Sequence, residues 1–310
     1  HKPLDAANVG LGHEIDLFSV RAEYAVYIRC TPDRIEKVLL ALRSARRDDY
    51  LSPGTAAVIR GKLGYLLTAS YAKVGRAATQ PLLQREYYDR SYTFGLALQA
   101  AHDFFETLLP YLPSLRIPLV PDGRPPVVLY TDAMFRPISR QRSYPLSRLG
   151  ACSFDPLAAT PFHGFLELPQ WMFAQLSSVD DTLIMQAEML APIAAILGCP
   201  EAFAGRDIIL FIDNTGAQST LLHGYSSKPD GARLCNVFHL LTAALQCRFY
   251  FEWVPSLANV ADLPSRADEA HMARYFSYFP TSQQYRLVLP DASTWLSPLP
   301  HLFAHLRSLV

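Results

Sequence analysis

No CxxC pair occurs in this 310-residue chain, and its five cysteines (Cys30, Cys152, Cys199, Cys235 and Cys247) are odd in number and widely spread. That pattern argues against a disulfide framework and suits buried free thiols in a reducing intracellular compartment. His301 and His305 stand four apart in "HLFAH", but no HExxH motif accompanies them, so they read as one face of a C-terminal helix. No apolar run reaches the ~18 residues a bilayer span needs. The most apolar stretch, "LIMQAEMLAPIAAILGC", carries Glu188 in its middle. A signal-peptide pattern, an internal repeat and a low-complexity tract are all missing as well. Net charge is also absent, because 28 basic residues offset 28 acidic ones. A free-standing nucleic-acid binder is usually basic, so the overall balance weighs against that class.

Charge is nevertheless unevenly placed. Arg136, Arg140, Arg142 and Arg148 lie in a stretch with no acidic residue, while Arg43, Arg46 and Arg47 read as the cation-favouring end of a helix. Half of the residues are hydrophobic, enough for one large core or two smaller ones. Residues 1–120 read as mainly helical. In "TPDRIEKVLLALRSARR", Thr31 is an N-cap with Pro32 behind it, and Ile35, Val38, Leu39 and Leu42 recur on one face. Ser52 and Pro53 start a second helix in the same way, and a third runs through "SYTFGLALQAAHDFFETLLPYL". The proline-rich "IPLVPDGRPP" reads as a linker.

Residues 121–270 have a different character. "VVLYTDAM" reads as a buried strand ending near Asp132, followed by strands in "LGACSFDP" and "FHGFLELPQWMF" that complete an antiparallel trio. A helix in "DDTLIMQAEMLAPIAAIL", capped by Asp180 or Asp181, precedes a strand and turn in "DIILFIDNTG". Further helices and a fifth strand, "RFYFEWVP", complete an α/β domain with a mixed sheet. Residues 271–310, rich in aromatics and proline, read as an extension suited to docking on other protein subunits.

Four carboxylates sit at telling positions: Asp132 on the first strand, Glu188 in a helix, Asp213 at the end of the fourth strand and Asp262 after the fifth. Ends of strands in α/β sheets collect functional side chains on rigid backbone. Crowded carboxylates repel one another unless cations lie among them, and hard Mg²⁺ takes oxygen ligands. Each acid also has an ordinary reading. Asp132 could end a strand in a turn, Asp213 and Asp262 could cap helices, and Glu188 could be an exposed helical residue.

"VLYTDA", "IMQAEMLA", "LFIDNTGA" and "WVPSLANVADLPSR" together resemble, in this order, the signatures of the ribonuclease H domain of retroelement polyproteins. The closing N-x-A-D-x-x-S-R pattern, Asn259 to Arg266, is the most specific of them and is similar to the retrotransposon form. Upstream, "LGHEIDL", "TPDRIEKVLLAL" and "RGKLGYLLTASYAKVGRAATQPLLQ" resemble the thumb and connection that follow a reverse transcriptase palm, with elements of the DIRS type the nearest in pattern.

The resemblance implies a ribonuclease H-like five-stranded mixed sheet with flanking helices, preceded by a mainly helical region. It also implies hydrolysis of RNA in an RNA–DNA hybrid with two Mg²⁺ (or Mn²⁺) ions. Asp132, Glu188, Asp213 and Asp262 would be the metal ligands, with Arg140, Arg142, Lys228 and Arg233 candidates for gripping phosphates. The chain departs from the family in three ways. Ala133 and Met134 follow Asp132 where small polar residues are usual, and no histidine stands just before Asp262. No polymerase palm is visible: "SVDDTL" lies before Glu188 and reads as a helix cap, so copying of nucleic acid by this chain alone is not expected. Two readings follow, a working ribonuclease H and a domesticated, non-catalytic structural subunit of the same fold.

Overall fold

The structure, a computed structural model, describes residues 7–10, 12–112, 114–121, 123–140, 143–176 and 182–290. The predicted Asp180 or Asp181 cap, Arg142, His301 and His305 lie outside these residues. The chain divides into two compact units, with the boundary between Gly123 and Arg124.

The first unit contains an antiparallel sheet of β1 (Ala7–Gly10), β2 (His13–Asp16), β3 (Ala25–Cys30) and β4 (Leu115–Pro118), in that order. Its helices are α1 (Val20–Glu23), α2 (Pro32–Arg47), α3 (Pro53–Leu67), α4 (Gln80–Tyr87) and α5 (Leu96–Leu108). Ser52 caps α3 by accepting a hydrogen bond from the Thr55 amide at 3.1 Å. Val38, Leu39, Leu42 and Ala45 bury one face of α2, as the apolar spacing requires. The basic end of α2 is consumed by ion pairs: Arg43 meets Glu106 and Glu36, Arg46 meets Asp103, and Arg47 meets Asp48. The sheet is an addition to the expected mainly helical region, whose helices still make up most of its regular structure. Strand β4, whose last two residues open the supposed linker, pairs with β3 across about 90 residues, a pairing that no local pattern reveals.

The second unit is a mixed α/β unit. Its strands are β5 (Val127–Arg136), β6 (Leu146–Phe154), β7 (Phe162–Glu167), β8 (Asp207–Ile212), β9 (Arg248–Trp253) and β10 (Gln283–Gln284). They form one sheet in the order β10-β7-β6-β5-β8-β9. Antiparallel pairing joins β5 to β6 and β6 to β7, whereas β8 runs parallel to both β5 and β9. The helices are α6 (Gln170–Phe173), α7 (Ile184–Gly198), α8 (Pro200–Phe203), α9 (Thr215–His223), α10 (Pro229–Leu245), α11 (Asp262–Arg266) and α12 (Glu269–Tyr278). Helix α7 is buried without interruption from Ala187 to Ile196, which explains its all-round hydrophobicity: it is a core helix against β5 and β6. No helix among the described residues is long and apolar enough to cross a membrane.

Two expectations need correction here. The sheet has six strands rather than five, because Gln283–Gln284, from the supposed extension, pairs parallel with β7. The adjoining chain is tied down by the Tyr285 amide donating to the His163 carbonyl (2.9 Å) and the Val288 amide donating to the Ala194 carbonyl (3.0 Å). Leu287 and Tyr275 are fully buried. Apolar side chains that read as docking surface are therefore core for this unit. Strand β5 also continues four residues beyond Asp132, so that carboxylate stands within the strand instead of at its end.

Candidate metal centre

Three acids meet at the middle of the sheet. Asp132 comes from β5, Glu188 from the adjacent α7 and Asp213 from the residue after β8. Each offers an oxygen within 4.8 Å of the others, and Asp132 and Glu188 are buried. Parallel pairing of β5 with β8 places Asp132 and Asp213 on neighbouring strands, and α7, packed on β5, delivers Glu188.

Local chemistry leaves these acids free for a ligand. Asn214, not Asp213, caps α9, its side-chain oxygen accepting from the Ala217 amide at 3.0 Å. The Asp213 carbonyl accepts from the Trp253 indole at 3.0 Å, which fixes its backbone. Glu188 Oε1 accepts from the Ala133 amide at 3.1 Å. Its Oε2 is buried and has no hydrogen-bond partner. Pro192, one turn along α7, has no amide proton for the Glu188 carbonyl, so the helix bond normally made there cannot form.

A buried carboxylate oxygen without a partner costs about 1–3 kcal/mol or more in a protein interior. Burial pushes the Glu188 carboxyl up to about 9, and Asp132 and Asp213 add to the shift by repulsion. Burial likewise raises Asp132 to about 7, opposed by a hydrogen bond from Ser265 and reinforced by Asp213 and Asp262. A cation relieves both penalties together, so the acidic cluster fits a metal ion. The orphaned Glu188 oxygen is the observation that decides this.

Asp262, the fourth predicted acid, begins α11 and lines the same cleft of about 460 Å³. It is not gathered into the close group of three. Instead it is clamped by Arg266, whose Nε donates to Oδ1 at 3.0 Å and Oδ2 at 2.9 Å and whose Nη2 donates to Oδ1 at 2.8 Å. The short segment before it is anchored by Asn259, which is buried. Its Nδ2 donates to the Thr131 carbonyl at 3.0 Å and approaches Asp132 Oδ1 at 3.4 Å, while its Oδ1 accepts from the Ala261 amide at 3.2 Å. Asn259 thus ties the loop carrying Asp262 to the strand carrying Asp132.

The suggested phosphate contacts are more dispersed. Arg140 and Lys228 are exposed, Lys228 at the N-cap of α10, and Arg233 is half-buried within that helix. None of these three lines the acidic cleft, whose cations are Arg136 and Arg266. The Asp–Arg pair four residues apart in "DLPSR" was visible as a helical ion-pair spacing.

Gly150 carried no such signal. Gly150 faces Asp132 in the β5–β6 register, and a Cβ there would lie 2.4 Å from the Ser265 nitrogen and 2.6 Å from the Ala261 oxygen. Only glycine lets α11 rest directly on β6. Gly150→Ala is expected to lower stability by about 1–3 kcal/mol in urea denaturation, because α11 has to shift. Gly61→Ala, where an added Cβ meets nothing within 4 Å, should not destabilise at all.

Comparison with known proteins adds little. No protein-family model matches the chain, and no curated protein matches it. Among solved structures, the chain is similar to a foamy viral protease–reverse transcriptase, described as dRH and in complex with double-stranded DNA, at 11% identity and a TM-score of 0.30. The match covers 93% of this chain and 39% of that one. So loose a superposition does not define a shared fold, and this chain corresponds to well under half of that protein's length.

Proposed function

We propose that the second unit is a ribonuclease H-like nuclease of retroelement descent, of DIRS-like type, hydrolysing the RNA strand of an RNA–DNA hybrid with Mg²⁺ or Mn²⁺. The supporting observation is the convergence of Asp132, Glu188 and Asp213 on one point with a partnerless buried oxygen at Glu188. The motif order from "VLYTDA" to "NVADLPSR" agrees with it, and the first unit fits a thumb and connection region.

In this reading Asp132, Glu188 and Asp213 hold one ion, and Asp262 serves a second. When bound, divalent ions supply an activated water nucleophile and stabilise the charge of the leaving oxygen. The chain's own part is to hold the acids rigidly. Asn259 fixes the Asp262 loop against β5, the Ala133 amide orients Glu188, and the Trp253 indole fixes the backbone at Asp213. Arg136 and Arg266 supply the positive rim to which a phosphate backbone is drawn.

A competing reading, a domesticated structural subunit, draws support from the Asp262–Arg266 pair, which neutralises one of the acids. It leaves unexplained two buried carboxyls whose repulsion serves no scaffold. The test is cleavage of end-labelled RNA annealed to DNA, beside RNA and DNA duplexes of the same sequence. Only the hybrid should be cut, in Mg²⁺ and not in EDTA, and not by an Asp213→Asn variant. If the unaltered protein leaves the hybrid intact in both Mg²⁺ and Mn²⁺, the enzymatic reading is lost.

A further inference from the structure

Asp262 is the one acid of the four whose charge is already matched inside the chain. Arg266 holds both of its oxygens through three hydrogen bonds of 2.8–3.0 Å, from the far end of the same five-residue helix. Arg148 Nη1 donates to the Arg266 carbonyl, so the backbone under the guanidinium is fixed while the side chain is not. Both partners of the pair are partly exposed, at 42% for Arg266 and 28% for Asp262. Solvent reaches both partners, so the pair is screened and a competing anion has access to the guanidinium.

Arg266 also stands between two depressions. It lines the acidic cleft, and with Ser256 and Asp262 it lines an adjoining groove of about 480 Å³ that contains Arg274 and Tyr278. A guanidinium fork matches a phosphate as well as it matches a carboxylate.

We infer that Arg266 exchanges partners: without substrate it withholds Asp262 from the metal site, and a substrate phosphate releases Asp262 by taking over the guanidinium. The inference rests on the proposed nuclease reading and deepens it. The three-acid group takes up one ion in the free protein. A second ion near Asp262 meets the guanidinium charge until a phosphate draws that charge away, so the second ion and the substrate bind together. Arg266 is in this sense a specificity-determining residue, confining the complete two-ion site to chains that carry substrate.

The test counts bound Mn²⁺ per chain by the loss of the free-ion resonance, in the absence of nucleic acid. The unaltered protein should take up one ion tightly and a second only weakly. Arg266→Gln should strengthen the second ion by about tenfold or more, because both the competing hydrogen bonds and the like charge are gone. Arg266→Lys keeps a point charge on the same helix and should keep the second ion weak. It serves as the check that Arg266→Gln acts through charge rather than through a disturbed α11. In Ca²⁺, Arg266→Gln should also reduce the slope of log hybrid affinity against log salt by about 0.9, the share of one phosphate contact.

Two Mn²⁺ ions of like affinity in the unaltered protein, or an unchanged second ion in Arg266→Gln, would overturn the exchange and leave the nuclease reading standing. Absence of any bound Mn²⁺ would overturn both.

Discussion

In EDTA, the protein is expected to be markedly more stable at pH 5 than at pH 8, and Glu188→Gln should remove most of that difference. Glu188 is 3% exposed and Asp132 is 5% exposed, and each repels the other and Asp213. The folded chain therefore holds protons that the unfolded chain has released: Glu188 between its ordinary 4.5 and about 9, and Asp132 between 3.8 and about 7. Where the folded state binds more protons than the unfolded one, stability falls as pH rises. These two groups thus impose no penalty below pH 4, and their penalty grows through the window up to about pH 9.

At about 1.4 kcal/mol per pH unit of separation, the full effect of Glu188 is on the order of several kcal/mol. That is a large fraction of the roughly 5–15 kcal/mol by which a domain is stable. Glu188→Gln keeps the shape and removes the charge. At pH 8 it should raise metal-free stability by about 2 kcal/mol or more in urea titrations, and the slope between pH 5 and pH 8 should flatten to the part due to Asp132. Mg²⁺ should stabilise the unaltered protein at pH 8 more than it stabilises the variant, since a ligand bound only by the folded state adds stability by mass action. Equal urea midpoints at pH 5 and pH 8 without metal would show that the acids are not crowded as described.

The second large effect is on rate. On the proposed nuclease reading, Asp132→Asn is expected to reduce single-turnover cleavage of the hybrid by about 10³-fold, read from the end-labelled RNA strand in saturating Mg²⁺. Asp132 is one of the three acids of the close group and is buried. It stands within β5 opposite Gly150 and is approached by Asn259 and Ser265. An amide retains the shape but supplies no negative charge. The loss expected for a poorly held ion, about 4 kcal/mol of the stabilisation that metal ions give developing charge, corresponds to three decades in rate. A variant within tenfold of the unaltered protein would place the chemistry elsewhere.

Legibility in the sequence followed the range of the physical signal. Helices α2 and α3 announced themselves through Thr31–Pro32 and Ser52–Pro53, and β5, β8 and β9 through short apolar runs. These are local signals, read within one or two turns. The first sheet was hidden because its strands are four to six residues long and β4 finds its partner far away in the chain. Strand β10 has only two residues and depends on β7 for its existence.

At the site, the four acids stood out by residue type and context, but their inequality did not. The Asp262–Arg266 pair had its four-residue spacing to show it, but that Glu188 Oε2 lacks a partner depends on which groups face it in three dimensions. Gly150 was equally silent, since what requires a glycine there is the backbone of α11, more than 100 residues further on.

The most direct measurement is the position of Mn²⁺ in crystals of the metal-loaded protein, located by its anomalous scattering. A peak within about 2.0–2.6 Å of oxygens from Asp132, Glu188 and Asp213 is the predicted result. Ordered carboxylates with no peak among them at saturating Mn²⁺, or a peak bound only at other residues, would contradict it.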